Sequence, residues 1–183
     1  PDVLLVIDSA YAEYVTDPGY TAGIDLVDAA DNTVMVRTFS KIGLAAVRLG
    51  WMYAPAHIVD AVNRIRGPFN VSMPAQVMGV ETVRDTAFLA ALRDHNSRWR
   101  DWLTRELSSN RLHVVPSEAN FVLVLFPDEA AAQEAFAALM ARGLIVREVH
   151  GYGIPNGLRI TIGTEAAMRA VAEVLGPLGG KAG

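Results

Sequence analysis

Arg37 to Trp51 reads RTFSKIGLAAVRLGW, and this stretch decides the fold class. Thr33 to Phe39 is rich in β-branched and apolar residues, the composition of a strand. The run ends at Ser40-Lys41, and Gly43 and small residues follow. A strand that breaks into a polar, glycine-containing loop is how an α/β sheet presents functional groups just beyond its strand ends. Upstream, Val3 to Ile7 is a continuous apolar run, the pattern of a strand buried on both faces, and Asp8 ends it. Leu49 to Ala54 is a third strand candidate. A short helical stretch, Ile24 to Ala30, lies between the first two. Strands interleaved with helices and loops give an α/β sheet.

Downstream, helices are expected over Pro55 to Arg66, stopped by Gly67-Pro68, and over Pro74 to Val83. Asp85 to Asn110 is a long amphipathic stretch, with Leu89, Leu92, Trp99, Trp102, Leu103 and Leu107 at helical spacing. Its arginines alternate with Asp94, Asp101 and Glu106, which marks a solvated face and not an RNA surface. Strands follow at His113 to Val115, Phe121 to Phe126, Leu144 to Val149 and Leu158 to Ile162. Helices follow at Asp128 to Arg142, with Asp128 as N-cap and Gly143 as stop, and at Thr164 to Leu175. Gly176 to Gly183 reads as a tail that frays. Residues 1–84 therefore read as an α/β portion of the chain. Residues 85–183 supply a linking helix and a small α+β domain.

Composition narrows the function classes. The 183 residues are 51% hydrophobic and 20% charged, enough to fill a core. A net charge of −4 gives no support to nucleic-acid or membrane-surface binding. There is no cysteine, which excludes disulfides and thiolate chemistry and is compatible with a reducing cytoplasm. No apolar run reaches the roughly 18 residues of a membrane span. The four histidines show no metal spacing. Gly151 to Gly157 contains a proline and precedes a strand, so it reads as a loop and not a phosphate cradle. The apolar run beginning at Val3 leads us to expect further residues upstream.

The chemistry-bearing residues cluster around Lys41, the only lysine before Lys181. Thr38 and Ser40 flank it with hydroxyls, and Arg48 follows. An amine that condenses with an aldehyde, beside phosphate-suited donors, is the equipment for pyridoxal phosphate. That cofactor also needs a carboxylate at its pyridine nitrogen, which Asp8 could supply. Tyr11 could donate to the ring's phenolic oxygen and lower the basicity of the imine. Each residue alone has a plainer reading: a surface lysine, a helix cap, a packing tyrosine, a surface ion pair.

Taken together, Asp8-Ser9-Ala10-Tyr11, Thr38-Phe39-Ser40-Lys41 and Gly43-Leu44-Ala45 through Arg48 to Gly50-Trp51 resemble the aspartate-aminotransferase superfamily of fold-type I pyridoxal-phosphate enzymes. The nearest likeness is to its histidinol-phosphate aminotransferases. The likeness continues through Ser117 to Phe121, Gly143 to Arg147 and Leu158 to Thr164. It implies that Lys41 bonds the cofactor and carries the proton. It implies that Asp8 and Tyr11 meet the ring, and that Thr38, Ser40 and Arg48 hold the phosphate. It further implies that Arg159 binds the substrate's anionic end, with Arg147 as a second arginine and Asn120 lining the entrance. Ser9 departs from the glutamate usual there.

The implied partners are an amino donor and a 2-oxo acid, such as glutamate and 2-oxoglutarate, and a second copy of the parent protein. The likeness covers only the C-terminal half of the family. By that likeness residues 1–84 are the C-terminal portion of a larger, mostly parallel, cofactor-binding domain, and alone the chain is expected to bind the cofactor weakly or not at all and not to transaminate. Alternatives are an aromatic aminotransferase, a phosphothreonine decarboxylase-like enzyme, or a non-catalytic remnant that serves as a dimerisation module.

Overall fold

The structure is a computed structural model that describes residues 3–179. It divides into two compact units, residues 1–93 and 94–183, and the division falls inside one helix.

The first unit holds a three-stranded sheet in the order β1-β2-β3: β1 (Leu5–Asp8), β2 (Thr33–Thr38) and β3 (Gly50–Tyr53). β1 and β2 run parallel with Asp8 opposite Val36. β3 is antiparallel to β2, with Trp51 opposite Arg37. Helices α1 (Ile24–Asp28), α2 (Ala56–Ile65) and α3 (Met73–Arg84) complete the unit. Ser72 caps α3, its Oγ accepting from Ala75 N, and Pro74 occupies the first turn.

One expectation fails here. Val3 to Val6 is not buried on both faces: each of these side chains is more than half exposed, and β1 is an edge strand. An apolar run records what a strand is suited to be covered by. Among the described residues nothing covers it.

The core of the first unit is small. Tyr14, Phe39 and Ile42 are buried together, with Tyr11, Leu44, Leu49, Leu89 and Leu92 packed around them. α3 crosses this cluster closely at Gly79, where a Cβ would lie 2.5 Å from Leu49 Cδ2.

The second unit has an antiparallel sheet in the order β4-β5-β7-β6. Its strands are β4 (His113–Val115), β5 (Phe121–Leu125), β6 (Arg147–Glu148) and β7 (Gly157–Thr161). The sheet packs with α4 (Thr86–Ser109), α5 (Glu129–Ala141) and α6 (Glu165–Gly179). Alternation does the sorting. Val122, Val124, Leu158 and Ile160 face inward and are at most 1% exposed. They meet Trp99, Leu103 and Leu107 of α4, Ala132, Ala135 and Leu139 of α5, and Met168, Val171 and Leu175 of α6. Each helix contributes a stripe at spacings of three and four residues. Burying each large side chain contributes about 2 kcal/mol.

Asp128 caps α5, its Oδ1 accepting from Ala131 N at 2.8 Å, and Gly143 follows the helix at φ 71°. Two expectations change. The strand expected over Leu144 to Val149 shrinks to Arg147–Glu148, because the chain leaving Gly143 exposes Ile145 and pairs with β7 at only two positions. The tail expected from Gly176 is helical through Gly179, since α6 continues to Gly179 and Leu178 packs on the core. Residues 180–183 of that tail lie outside the described residues.

Candidate active site

Parallel pairing of β1 and β2 brings their C-terminal ends to one edge of the sheet. Asp8 ends β1, and its Oδ1 accepts from Ala10 N at 3.1 Å. Ser9 N donates to Val36 O at 2.9 Å, which locks the turn to β2. Ser9 itself is buried and its hydroxyl donates to Ala22 O at 2.8 Å. A small hydroxyl here serves the fold, and the departure to serine leaves the neighbouring Asp8 in place.

The chain then makes a 3-10 turn at Ala12–Tyr14. Tyr14 is buried, and its hydroxyl donates to the backbone oxygen of Lys41 at 2.5 Å. Tyr11 lies beside it, and the Lys41 ammonium sits 5.5 Å from the Tyr11 ring centroid, within cation–π reach.

Lys41 stands at the end of a second 3-10 turn, Phe39–Lys41, capped by Thr38. Thr38 Oγ1 accepts from Ser40 N at 3.0 Å. Phe39 and Ile42 are buried on either side, which fixes the loop while leaving the lysine side chain half-buried. Gly43 takes φ 90°, a conformation that disfavours any side chain. Arg48 is also left-handed, at φ 55°. Its Nη1 donates to Ala45 O at 2.8 Å and approaches Ser40 Oγ at 3.5 Å. The first unit thus gathers Asp8, Tyr11, Thr38, Ser40, Lys41 and Arg48 around one strand-end edge: a carboxylate, a phenol, an amine, and two hydroxyls with a guanidinium.

The second unit places its own residues on the outward face of its sheet. Arg159 of β7 pairs in register with Leu123 on one side and Arg147 of β6 on the other. Its guanidinium lies 5.0 Å from the Phe121 ring centroid, and its Nε is buried without a hydrogen-bond partner among the described residues. Arg147 is exposed; its Nη2 donates to the Tyr152 hydroxyl at 3.0 Å, with the guanidinium 5.5 Å from that ring. Two arginines directly opposite on neighbouring strands repel each other.

Asn120 ends the loop before β5, and its backbone oxygen accepts from Ile162 N at 2.8 Å. The loop is held from below. Asn96 Nδ2 donates to Ala119 O at 3.2 Å, and Arg100, buried, donates to Glu118 Oε2 at 3.1 Å.

Sequence reading missed Tyr14, Glu13, Arg37, Phe121 and Tyr152. Tyr14 carried a signal, standing one 3-10 turn beyond Tyr11. Glu13, Arg37 and Phe121 meet their partners only through tertiary placement, and Tyr152 meets Arg147 five residues away across a turn. Among the described residues, no group of three or more histidines or carboxylates is placed to hold a metal ion. No helix among them is long and apolar enough to cross a membrane.

The family described as aminotransferase class I and II matches residues 2–175. The chain belongs to that family. The histidinol-phosphate aminotransferase of Nitrobacter winogradskyi is 54% identical over 178 residues, covering 96% of this chain and 49% of that protein. The enzyme of the same name from Rhodospirillum rubrum is 52% identical over 177 residues, covering 96% of this chain and 48% of that protein. The crystal structure of histidinol-phosphate aminotransferase from Sinorhizobium meliloti in complex with pyridoxal-5'-phosphate superposes with a TM-score of 0.88 at 25% identity. That match covers 98% of this chain and 50% of that one. The aminotransferase chain thus spans about half the length of the curated relatives it matches. Its α/β architecture is that of the fold-type I aminotransferases.

Proposed function

We propose that this chain carries the C-terminal part of the active site of a pyridoxal-phosphate-dependent aminotransferase that acts on histidinol phosphate. The observation that carries the reading is the gathering of Lys41, Tyr11, Asp8 and the Thr38–Ser40–Arg48 group at one sheet edge. The donor set fits the cofactor in kind: an amine for an aldehyde, a carboxylate for a ring nitrogen, a phenol for a ring oxygen, and hydroxyls with a guanidinium for a phosphate.

In this reading Lys41 provides the amine that bonds the cofactor and afterwards carries the proton to and from the substrate's Cα. Asp8 keeps the pyridine nitrogen protonated. Tyr11 donates to the phenolic oxygen. Thr38, Ser40 and Arg48 bind the phosphate. When bound, the cofactor supplies an electron sink for the carbanion formed at the substrate. Arg159, with its planar fork, binds the substrate's anionic end. Arg147 adds a second positive charge, which favours a doubly charged phosphate over a carboxylate. Asn120 lines the entrance. The amino group passes between histidinol phosphate and 2-oxoglutarate, whose aminated form is glutamate. The same reading carries a homodimeric assembly and a cytoplasmic location, both expectations of the family likeness.

The test is an amino-donor screen of the full-length protein loaded with pyridoxal phosphate. Histidinol phosphate should be the preferred donor, Lys41→Ala should abolish turnover, and Arg147→Ala should raise KM for the phosphorylated donor alone. Equal turnover of unphosphorylated aromatic amino acids would overturn the substrate assignment. Undiminished activity of the Lys41 variant would overturn the mechanism.

A further inference from the structure

Glu13 and Arg37 are absent from the cofactor-binding set, yet they sit between its two halves. Arg37 Nη2 donates to Glu13 Oε1 at 2.5 Å, with the side chains only 18% and 21% exposed. The guanidinium also stacks on Trp51, its register partner on β3, 5.4 Å from the ring centroid. The pair lines a cavity of about 230 Å³ walled by Phe39, Ile42, Trp51 and Val83. Within it, Glu13 Oε2 and Arg37 Nε are buried and have no hydrogen-bond partner among the described residues.

An ion pair whose remaining hydrogen-bonding capacity goes unused in apolar surroundings is a poor source of stability. The cost of taking both charges out of water offsets their attraction. What such a pair does supply is register. Glu13 lies in the 3-10 turn between Tyr11 and Tyr14, and Arg37 immediately precedes Thr38 on β2. The ion pair therefore ties the turn that carries Tyr11 to the strand that carries Lys41. The Tyr14 hydroxyl on the Lys41 carbonyl is a second tie between the same two segments.

We propose that the Glu13–Arg37 pair, braced by Trp51, is a positioning device that holds the Tyr11 ring against the Lys41 amine. The geometric claim stands on the chain alone. Its catalytic consequence rests on the reading of Tyr11 and Lys41 given above. Two anchors, one ionic and one at a backbone carbonyl, restrain a three-residue turn against rotation about either one. With Glu13 neutral the ionic anchor is lost, and the turn that follows Tyr11 is tied less tightly to β2.

The first arm of the test needs no cofactor. Tyr11 ring resonances, assigned by their loss in Tyr11→Phe, are followed by NMR in the chain carrying Glu13→Gln, Arg37→Met, or both. Each single variant should shift these resonances, and the double variant should shift them no further. Arg37→Lys keeps the charge but loses the planar stack, so it should give a smaller shift; it also serves if the methionine variant fails to fold. A drop in urea midpoint with the Tyr11 resonances unmoved is the behaviour of an ordinary structural ion pair and overturns the proposal.

The second arm uses the full-length protein with bound pyridoxal phosphate and follows the pH titration of its visible absorption. Tyr11→Phe should raise the midpoint. Glu13→Gln should raise it by less, and should add nothing in the Tyr11→Phe background. If Tyr11→Phe moves the midpoint and Glu13→Gln does not, the positioning role is refuted. If Tyr11→Phe itself leaves the midpoint in place, the reading of Tyr11 fails, and the NMR arm decides the geometric claim.

Discussion

The two units hide their apolar side chains to very different extents. In the second, three helices cover one face of a four-stranded sheet, and among the described residues only Met140, Ile145 and Tyr152 are exposed large apolar ones. The first unit buries the cluster of three around Phe39 and, apart from it, Val27, Val34, Met35 and Ala75, and leaves Val3 to Val6, much of α2 and α3 and the loop between them open, with Ile65 84% and Phe69 97% exposed. Yet the first unit carries Lys41 and its neighbours. Self-sufficient stability and an ordered Lys41 loop are different achievements. The first needs a large shared core. The second needs only a few short-range ties, here the buried Phe39 and Ile42, the Thr38 cap and the Tyr14 hydrogen bond.

Core truncation should expose the contrast most strongly. Leu103→Ala, at a fully buried position, should cost about 3 kcal/mol in urea denaturation, whereas Val6→Ala, 53% exposed, should stay within about 0.5 kcal/mol. Comparable losses at the two positions would abolish the distinction. A smaller effect tests whether the first unit is locally rigid despite its thin core. An alanine Cβ at Gly50 would lie 2.8 Å from the Arg37 backbone oxygen, so Gly50→Ala must displace a strand and should cost about 2 kcal/mol. At Gly79 the clash is with the end of the Leu49 side chain, which can turn aside, so Gly79→Ala should cost well under half as much. Equal costs would mean that β2 and β3 yield as easily as a side chain.

The smallest effect is at the rim of the first unit. Tyr53 donates to Asp28 Oδ1 at 2.6 Å, and that hydrogen bond to a carboxylate holds the phenol above its usual value of 10.0. The native state therefore keeps its proton longer than the unfolded chain does. The contribution is fully present below about pH 10. It is lost as the pH rises through the raised native value. Stability measured from pH 9 upward should fall more steeply in the wild type than in Tyr53→Phe; parallel curves would show the hydrogen bond to be without consequence.

Much of this was legible in the sequence where the signal is local. Asp128 and Gly143 bracket α5, Ser72 and Pro74 open α3, and the hydroxyls and glycine around Lys41 mark the loop at the end of β2. What stayed hidden is non-local. The apolar letters of Val3 to Val6 report an affinity for cover, and only tertiary structure shows whether cover exists. The pairing of Arg37 with Trp51 and Glu13 depends on the register of β2 against β3 and on the path of the turn after β1. No periodicity encodes either. Leu144 to Val146 has strand-like composition, but the exit from Gly143 keeps these residues out of the ladder.

The opposed arginines of β6 and β7 carry one further consequence. Register sets Arg147 opposite Arg159, two like charges on neighbouring strands whose repulsion the second unit must offset elsewhere. The stability of the second unit is thereby coupled to the solution. Added salt screens that repulsion, so the second unit should gain stability as ionic strength rises. Buffer choice thus becomes an experimental variable that reports on how the two guanidiniums are spaced.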